Sequence, residues 1–184
     1  MKAYFLLLLS FILFACTENS IEQIEVLVNE EDLPIIEMDS AEIEYSDSSY
    51  LKAKIFGTLV ENYIKFDEKS KKETEKKLIL TNGIKALFYN KYRDVNSTLT
   101  AFKATRLDNE RLTHIENNVV VVNTKGDSLT TEYLLWDENT NKISSNRKVR
   151  VRTADEIIFA DGFESDVNFE EISFKNVTGT ISLN

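Results

Sequence analysis

The sequence predicts an all-β protein of two facing antiparallel sheets built from a repeated strand pair. Three observations carry this expectation. From Pro34, the only proline, onward the chain runs in short stretches of Val, Ile, Thr, Tyr and Phe separated by Asn, Asp, Gly and Lys, which is the alternation of strands and turns. A strand motif recurs four times in the same order. Each copy also breaks a strict period of two at the same place, as a bulge or bend does.

The chain opens with MKAYFLLLLSFILFA, in which Lys2 precedes an apolar run from Ala3 to Ala15. That run is too short to cross a bilayer comfortably and ends in a small residue, so residues 1–15 read as a cleaved signal peptide. Leu13-Phe14-Ala15-Cys16 resembles the bacterial lipobox, which makes Cys16 the expected lipid-attachment site and new N-terminus. An uncleaved anchor helix with an incidental cysteine is the alternative. Acyl chains hold a protein to a membrane with about 0.8 kcal/mol per buried CH₂. Cys16 is the only cysteine, which excludes an internal disulfide and a cysteine zinc site. Residues 16–32 are polar and acidic and read as a lipidated tether, with Ile21, Ile24 and Val28 able to form one short amphipathic helix. The folded domain is expected over 33–184.

Within it, Leu51-Lys52-Ala53, Leu99-Thr100-Ala101, Leu129-Thr130-Thr131 and Ile158-Phe159-Ala160 are followed three residues later by Phe56, Ala104, Leu134 and Phe163. Each copy has a second strand: Ile84-Lys85-Ala86, Val119-Val120-Val121, Val149-Arg150-Val151 and Val177-Thr178-Gly179. The offset is 33 residues in the first copy and 19 or 20 in the others. The excess is the charge run FDEKSKKETEKK (66–77), expected as a solvated hairpin loop or a short exposed helix. Turns are expected at Asp108-Asn109, Lys125-Gly126-Asp127, Asp137-Glu138-Asn139 and Asp161-Gly162. Small inward residues at Ala53, Ala101 and Ala160 leave space between the sheets, unless they face bulky partners such as Phe88 or Trp136. Slot and filled core are both open on this reading. The last strand, Val177 to Ser182, alternates Val177, Gly179 and Ile181 with Thr178, Thr180 and Ser182, as a half-buried edge strand does.

A formal charge of −9 without a basic stripe excludes nucleic acid as a partner. The one histidine, His114, falls in ERLTHIENN, read as a turn, with no nucleophile elbow beside it. Asp155, Glu156, Asp161, Glu164 and Asp166 are close in sequence, but their spacing fits no EF-hand loop and they read as solvated turn charges. No catalytic residue, metal site or cofactor is predicted, and the chain is not expected to be an enzyme.

The repeat, from Leu99-Thr-Ala101 and Val119-Val-Val121 through Gly126-Asp-Ser-Leu129-Thr-Thr131-Glu-Tyr-Leu134-Leu-Trp136-Asp137, resembles that of the lipopolysaccharide-transport β-jellyrolls (OstA/LptA-like). Lys142-Ile143-Ser144-Ser145, Gly162-Phe163-Glu164-Ser165-Asp166, Gly179-Thr-Ile181 and the opening Leu33-Pro34 with Glu44-Tyr45-Ser46-Asp47 extend the resemblance over about 33–182. In that order they are similar to the LptC family, the periplasmic component of the lipopolysaccharide export ABC transporter. The family's glycine before the valine strand is kept at Gly83 and replaced by Asn118 and Lys148. Its better-known members use a transmembrane helix where this chain offers Cys16.

The resemblance implies an open, twisted β-jellyroll whose apolar interior shelters the acyl chains of lipopolysaccharide. The residues expected to face that interior are Leu51, Ala53, Phe56, Ile84, Leu99, Ala101, Val119, Val121, Leu129, Thr131, Leu134, Val149, Val151, Ile158, Ala160 and Phe163. It also implies LptF/LptG transporter subunits as donors, and an LptA-like bridging protein docked on the edge Val177, Thr178, Gly179, Thr180, Ile181 and Ser182. The implied location is the periplasmic side of the cell envelope, lipid-anchored, with the inner membrane preferred over the outer. A structural envelope lipoprotein with a filled β-sandwich core and no lipid cargo is the alternative.

Overall fold

The computed structural model describes residues 34–47, 49–67, 69–167 and 171–183. The expected leader, Cys16 and the tether lie outside the described residues. The strands are β1 (Ile36–Asp47), β2 (Tyr50–Phe66), β3 (Glu73–Tyr89), β4 (Val95–Ala101), β5 (Lys103–Leu107), β6 (Leu112–Asn123), β7 (Ser128–Asp137), β8 (Lys142–Ser145), β9 (Val149–Arg152), β10 (Glu156–Asp166) and β11 (Ser173–Ser182).

All are antiparallel and join into one hydrogen-bonded sheet in the order β1-β2-β3-β4-β6-β7-β8-β10-β11, with β5 between β3 and β6 and β9 between β7 and β10. β4 with β5, and β8 with β9, are therefore single crossings interrupted midway. The remaining crossings carry the same interruption as a kink. Left-handed backbone occurs at Ser40 in β1, Asn82 and Gly83 in β3, Asn117 and Asn118 in β6, and Asn176 in β11. Pairing slips at Gly57/Leu59 between β2 and β3, and at Phe159/Ala160 between β10 and β11. Asparagine and glycine tolerate the left-handed region, so they gather where each strand must turn. Along this line Gly83 N–H donates to the Phe102 carbonyl (3.1 Å), and Phe102 N–H to the Asn117 carbonyl (3.0 Å).

The line divides every crossing between two leaves. The first leaf contains β4, β9 and the halves paired with them; the second contains β5, β8 and theirs. Their inner faces share one apolar cluster, with Val60, Leu80, Ala104, Ile115 and Leu134 from the second leaf and Ile84, Leu99, Val119, Val151 and Ala160 from the first. Leu99, Leu134, Val119 and Phe163 are at most 2% exposed. Each such side chain contributes about 1.5–3 kcal/mol by leaving water, which is what holds the leaves together.

The all-β reading and the break in each repeat hold, with four revisions. The two sheets are halves of one folded sheet, because most strands run through the bend and β4–β5 and β8–β9 continue the same pairings on either side of it. Residues 66 and 73–77 are the ends of β2 and β3, joined by the ladder Tyr63↔Lys77 to Phe66↔Glu73, so the expected hairpin loop is confined to 67–72. His114 and Asp161-Gly162 lie inside β6 and β10, not in turns. In β2 the bend falls at Gly57, four residues beyond the expected place. Ala53, Ile55, Gly57 and Val60 consequently face inward, and Phe56 stands on the outer face between its cross-strand partners Glu42 and Lys85.

Candidate functional site: an apolar cavity between the leaves

The half of the sheet nearest β1 is not filled. A cavity of about 160 Å³ lies there, lined from the first leaf by Ile43, Tyr45, Ile55, Ile84, Ala86, Phe88 and Leu99, and from the second by Leu78, Leu80, Ala104, Arg106, Thr113, Ile115 and Trp136. The space follows from the sequence. Inward positions on β3 and β5 carry Ala86 and Ala104, whereas the corresponding stretch of β7 and β10 carries Leu134 and Phe163. An apolar cavity of about 150 Å³ stays dry and admits a benzene-sized guest. A cavity of this volume matches a short hydrocarbon segment.

A group of contacting side chains joins the two leaves along the cavity wall. The ring of Tyr45 meets Trp136 edge-on at 5.4 Å between centroids, and Phe88 meets the same indole at 5.9 Å. Tyr45 and Phe88 belong to the first leaf and Trp136 to the second. The Tyr45 hydroxyl donates to Glu138 Oε2 at 3.2 Å. Arg106 donates to both oxygens of Glu138 and, through Nε at 2.6 Å, to Asp108, while its guanidinium lies 5.8 Å from the Tyr45 ring. Glu138, whose side chain is 3% exposed, has Arg111 Nε at 3.9 Å as a second cation. Burial, then the charge of Glu138, raises the pKa of the Tyr45 phenol. Burial alone would lower the Arg106 pKa, but the bonds to Glu138 and Asp108 outweigh it and raise the value. The group is therefore a paired, charge-neutralised clasp between the leaves.

Thr113 Oγ1 and Trp136 Nε1, in residues of the cavity wall, are buried without a hydrogen-bond partner among the described residues. Thr113 and Trp136 are directly opposite one another on β6 and β7.

Of the expected interior residues, Ile84 and Leu99 line the cavity. Val119, Val121, Leu129, Leu134, Val149, Val151, Ala160 and Phe163 are buried in the filled half, and Ala53 and Ala101 are buried near the cavity without lining it. Leu51 and Ile158 are only partly buried. Thr131 takes part in a polar contact at the bend, its Oγ1 lying 3.1 Å from the Lys148 carbonyl and 3.3 Å from Ser145 Oγ. A smaller space of about 60 Å³ opens beyond the filled half beside Val121, Leu129, Val151 and Ile172. The repeat did not point to Ile43 and Tyr45, which precede its first copy, or to Leu78 and Leu80, whose alternation was visible just beyond the charge run. Glu138 lies in an expected turn and Arg106 two residues before one, where polar residues carry no mark of a second role. His114, half-buried in β6, has Nδ1 2.8 Å from the Tyr133 hydroxyl. Glu164 pairs with Lys142, and Asp161 accepts from Asn176 Nδ2.

On the edge strand, Val177 and Ile181 are each 52% exposed, so its apolar side chains are more open than the alternation implied. β11 pairs with β10 alone among the described strands. The Leu183 N–H donates to the Asp155 carbonyl at 2.7 Å, and antiparallel alternation then turns the N–H groups of Thr180 and Ser182 away from β10.

A search of curated proteins finds no match. A family model described as "Lipopolysaccharide-assembly, LptC-related" matches residues 3–182, nearly the whole chain and every strand of the folded sheet. With an antiparallel sheet folded around an apolar cavity, the chain belongs to the LptC family and has a role in lipopolysaccharide transport at the cell envelope.

Proposed function

We propose that this chain shelters acyl chains of lipopolysaccharide between its leaves and passes the lipid from an inner-membrane ABC transporter of LptF/LptG type to an LptA-like bridging protein. The observation that carries this reading is the apolar cavity beside β1, in whose wall Tyr45 and Arg106 are joined through Glu138. Transferring a hydrocarbon chain through water costs about 0.8 kcal/mol per CH₂, which an apolar wall removes. Cys16 is proposed as the lipid anchor on the periplasmic side of the inner membrane, and residues 177–182 as the edge that receives the bridging protein by strand addition. The dense packing around Phe163 and Leu134 favours the second reading, a structural lipoprotein with no cargo.

One experiment in living cells separates them. A photo-crosslinking amino acid at Leu80 or Phe88, in the cavity wall, is expected to capture lipopolysaccharide, and one at Lys125, in the exposed β6–β7 turn, is not. Equal capture at all three sites, or none, would overturn the carrier reading. In the same cells a fatty-acid analogue should label the chain and fail to label Cys16→Ala; undiminished labelling would rule out Cys16 as the anchor.

A further inference from the structure

The extra residues of the first repeat copy build a projection in which residues 66–77 take no part in lining the cavity. β1 begins opposite Asn62 and β5 ends opposite Lys77. The rows Ile64↔Lys76, Lys65↔Glu75 and Phe66↔Glu73 therefore have no other ladder partner among the described residues, and the turn 67–72 closes them. At about 3.4 Å per residue, the steps from Tyr63 to Phe66 carry this arm about 10 Å past its neighbouring strands. Its foot is braced, with Asp108 N–H donating to the Lys76 carbonyl (3.0 Å) and Asn109 Nδ2 to the Thr74 carbonyl (2.7 Å). Phe66 is 53% exposed, and Lys65, Lys69, Lys71 and Lys72 are exposed without an ion pair among the described residues. Residues 65–77 hold six lysines and four acids, which makes the arm +2 and the remainder of the −9 chain −11. Of those acids Asp67 is engaged inside the turn, where its carboxylate accepts from the Ser70 N–H at 2.6 Å. A merely solvated turn requires neither a ladder beyond the sheet nor an aromatic ring in water.

The course of β1 indicates what the arm faces. Ile35 N–H donates to the Asn62 carbonyl at 2.8 Å, and β1 runs antiparallel to β2, so the chain enters the domain at the foot of the arm. Ile35 and Ile36 add exposed apolar surface at that place. The 18 residues from Cys16 to Pro34 reach at most about 65 Å, which keeps this end of the sheet within range of an anchored Cys16.

We propose that the arm rests on the anionic phospholipid surface of the membrane that holds the anchor. Phe66 sits in the interface, and Lys65, Lys69, Lys71 and Lys72 meet the head-group phosphates. An aromatic ring suits the boundary between head groups and acyl chains, and lysines gain from anionic lipid. One ring and four cations bind weakly alone, but a tether holds them at high effective concentration beside the surface. The proposal rests on the reading that Cys16 carries the anchor, and adds an orientation in which the β1 end of the sheet stands against the bilayer.

The test uses the acylated full-length protein reconstituted in vesicles of phosphatidylethanolamine and phosphatidylglycerol. A photo-crosslinking amino acid at Phe66 should capture phospholipid about tenfold more than one at Ile181, which is as exposed on β11. Replacing the four exposed lysines together (K65Q, K69Q, K71Q and K72Q) should lower capture at Phe66 about fivefold. Vesicles of phosphatidylcholine alone should do the same with the lysines in place, which separates lipid charge from any effect of the substitutions on folding. Flotation of the chain with the vesicles reports the anchor independently. Equal capture at Phe66 and Ile181, or capture indifferent to lipid charge, overturns the arm's contact while the anchor stands. So do adducts at Phe66 in living cells that contain protein or lipopolysaccharide in place of phospholipid. A chain that does not float with the vesicles overturns the anchor and the arm's contact together.

Discussion

Tyr45 reaches from the first leaf to two residues of the second, touching Trp136 with its ring and Glu138 with its hydroxyl. Tyr45→Phe keeps the ring contact and removes the bond, so it should cost about 1 kcal/mol in a urea melt at pH 8. The phenol carries a pH signature as well. Burial first and the Glu138 charge second raise its folded pKa above the unfolded value of about 10. Its contribution is therefore intact below about pH 10 and is lost as pH rises through the folded value. The gap in stability between wild type and Tyr45→Phe should narrow from pH 8 to pH 11, and a gap that widened would contradict the assigned cause. Arg106 differs from Tyr45 in kind. Its planar fork engages both oxygens of Glu138, a geometry that lysine cannot reproduce.

At the level of the strands, two glycines separate two ways of making a bend. Gly83 has φ of +105°, and a Cβ there would have only Thr58 Oγ1, at 3.9 Å, as a neighbour. The cost of Gly83→Ala is thus backbone strain alone, about 1–2 kcal/mol. At Gly162 an added Cβ would lie 2.5 Å from the Ser145 carbonyl oxygen, a backbone atom that cannot rotate aside. Gly162→Ala should separate β8 from β10 and cost about 3 kcal/mol. Urea unfolding of the two variants should give that ranking, and the reverse order would show that the close approach is not what decides. These elements also mark the limits of reading the sequence. The kink was legible as a three-residue step in Leu99 to Ala104 and in Leu129 to Leu134, because inward residues change parity there. In β2 the same rule misled, since Ala53 mimics the small residue whose place Gly57 occupies, and Phe56 was assigned inward. The cavity itself was not legible. It depends on which small residues meet one space from two leaves, and the linear order hides that Ala86 and Ala104 share it.

For the molecule as a whole, the free edge at β11 is where a proposal about partners can be tested without touching the cavity. The Thr180 N–H is turned away from β10, so Thr180→Pro removes a donor that the fold does not use. Circular dichroism should be nearly unchanged, while capture of a bridging jellyroll in a pull-down should fall; full capture would exclude this edge. The bend line has a further consequence for how such a molecule can be lengthened. Nine crossings follow one another among the described residues, and eight gaps of about 4.8 Å give a spine of about 38 Å. Each crossing repeats the same kinked course, so one more strand with a kink at the same height adds one increment of trough beside those already there. A strand supplied by a neighbouring chain and a strand supplied by a longer gene are then equivalent additions. Trough length in such an assembly is a matter of counting strands, independent of where one polypeptide stops and the next begins.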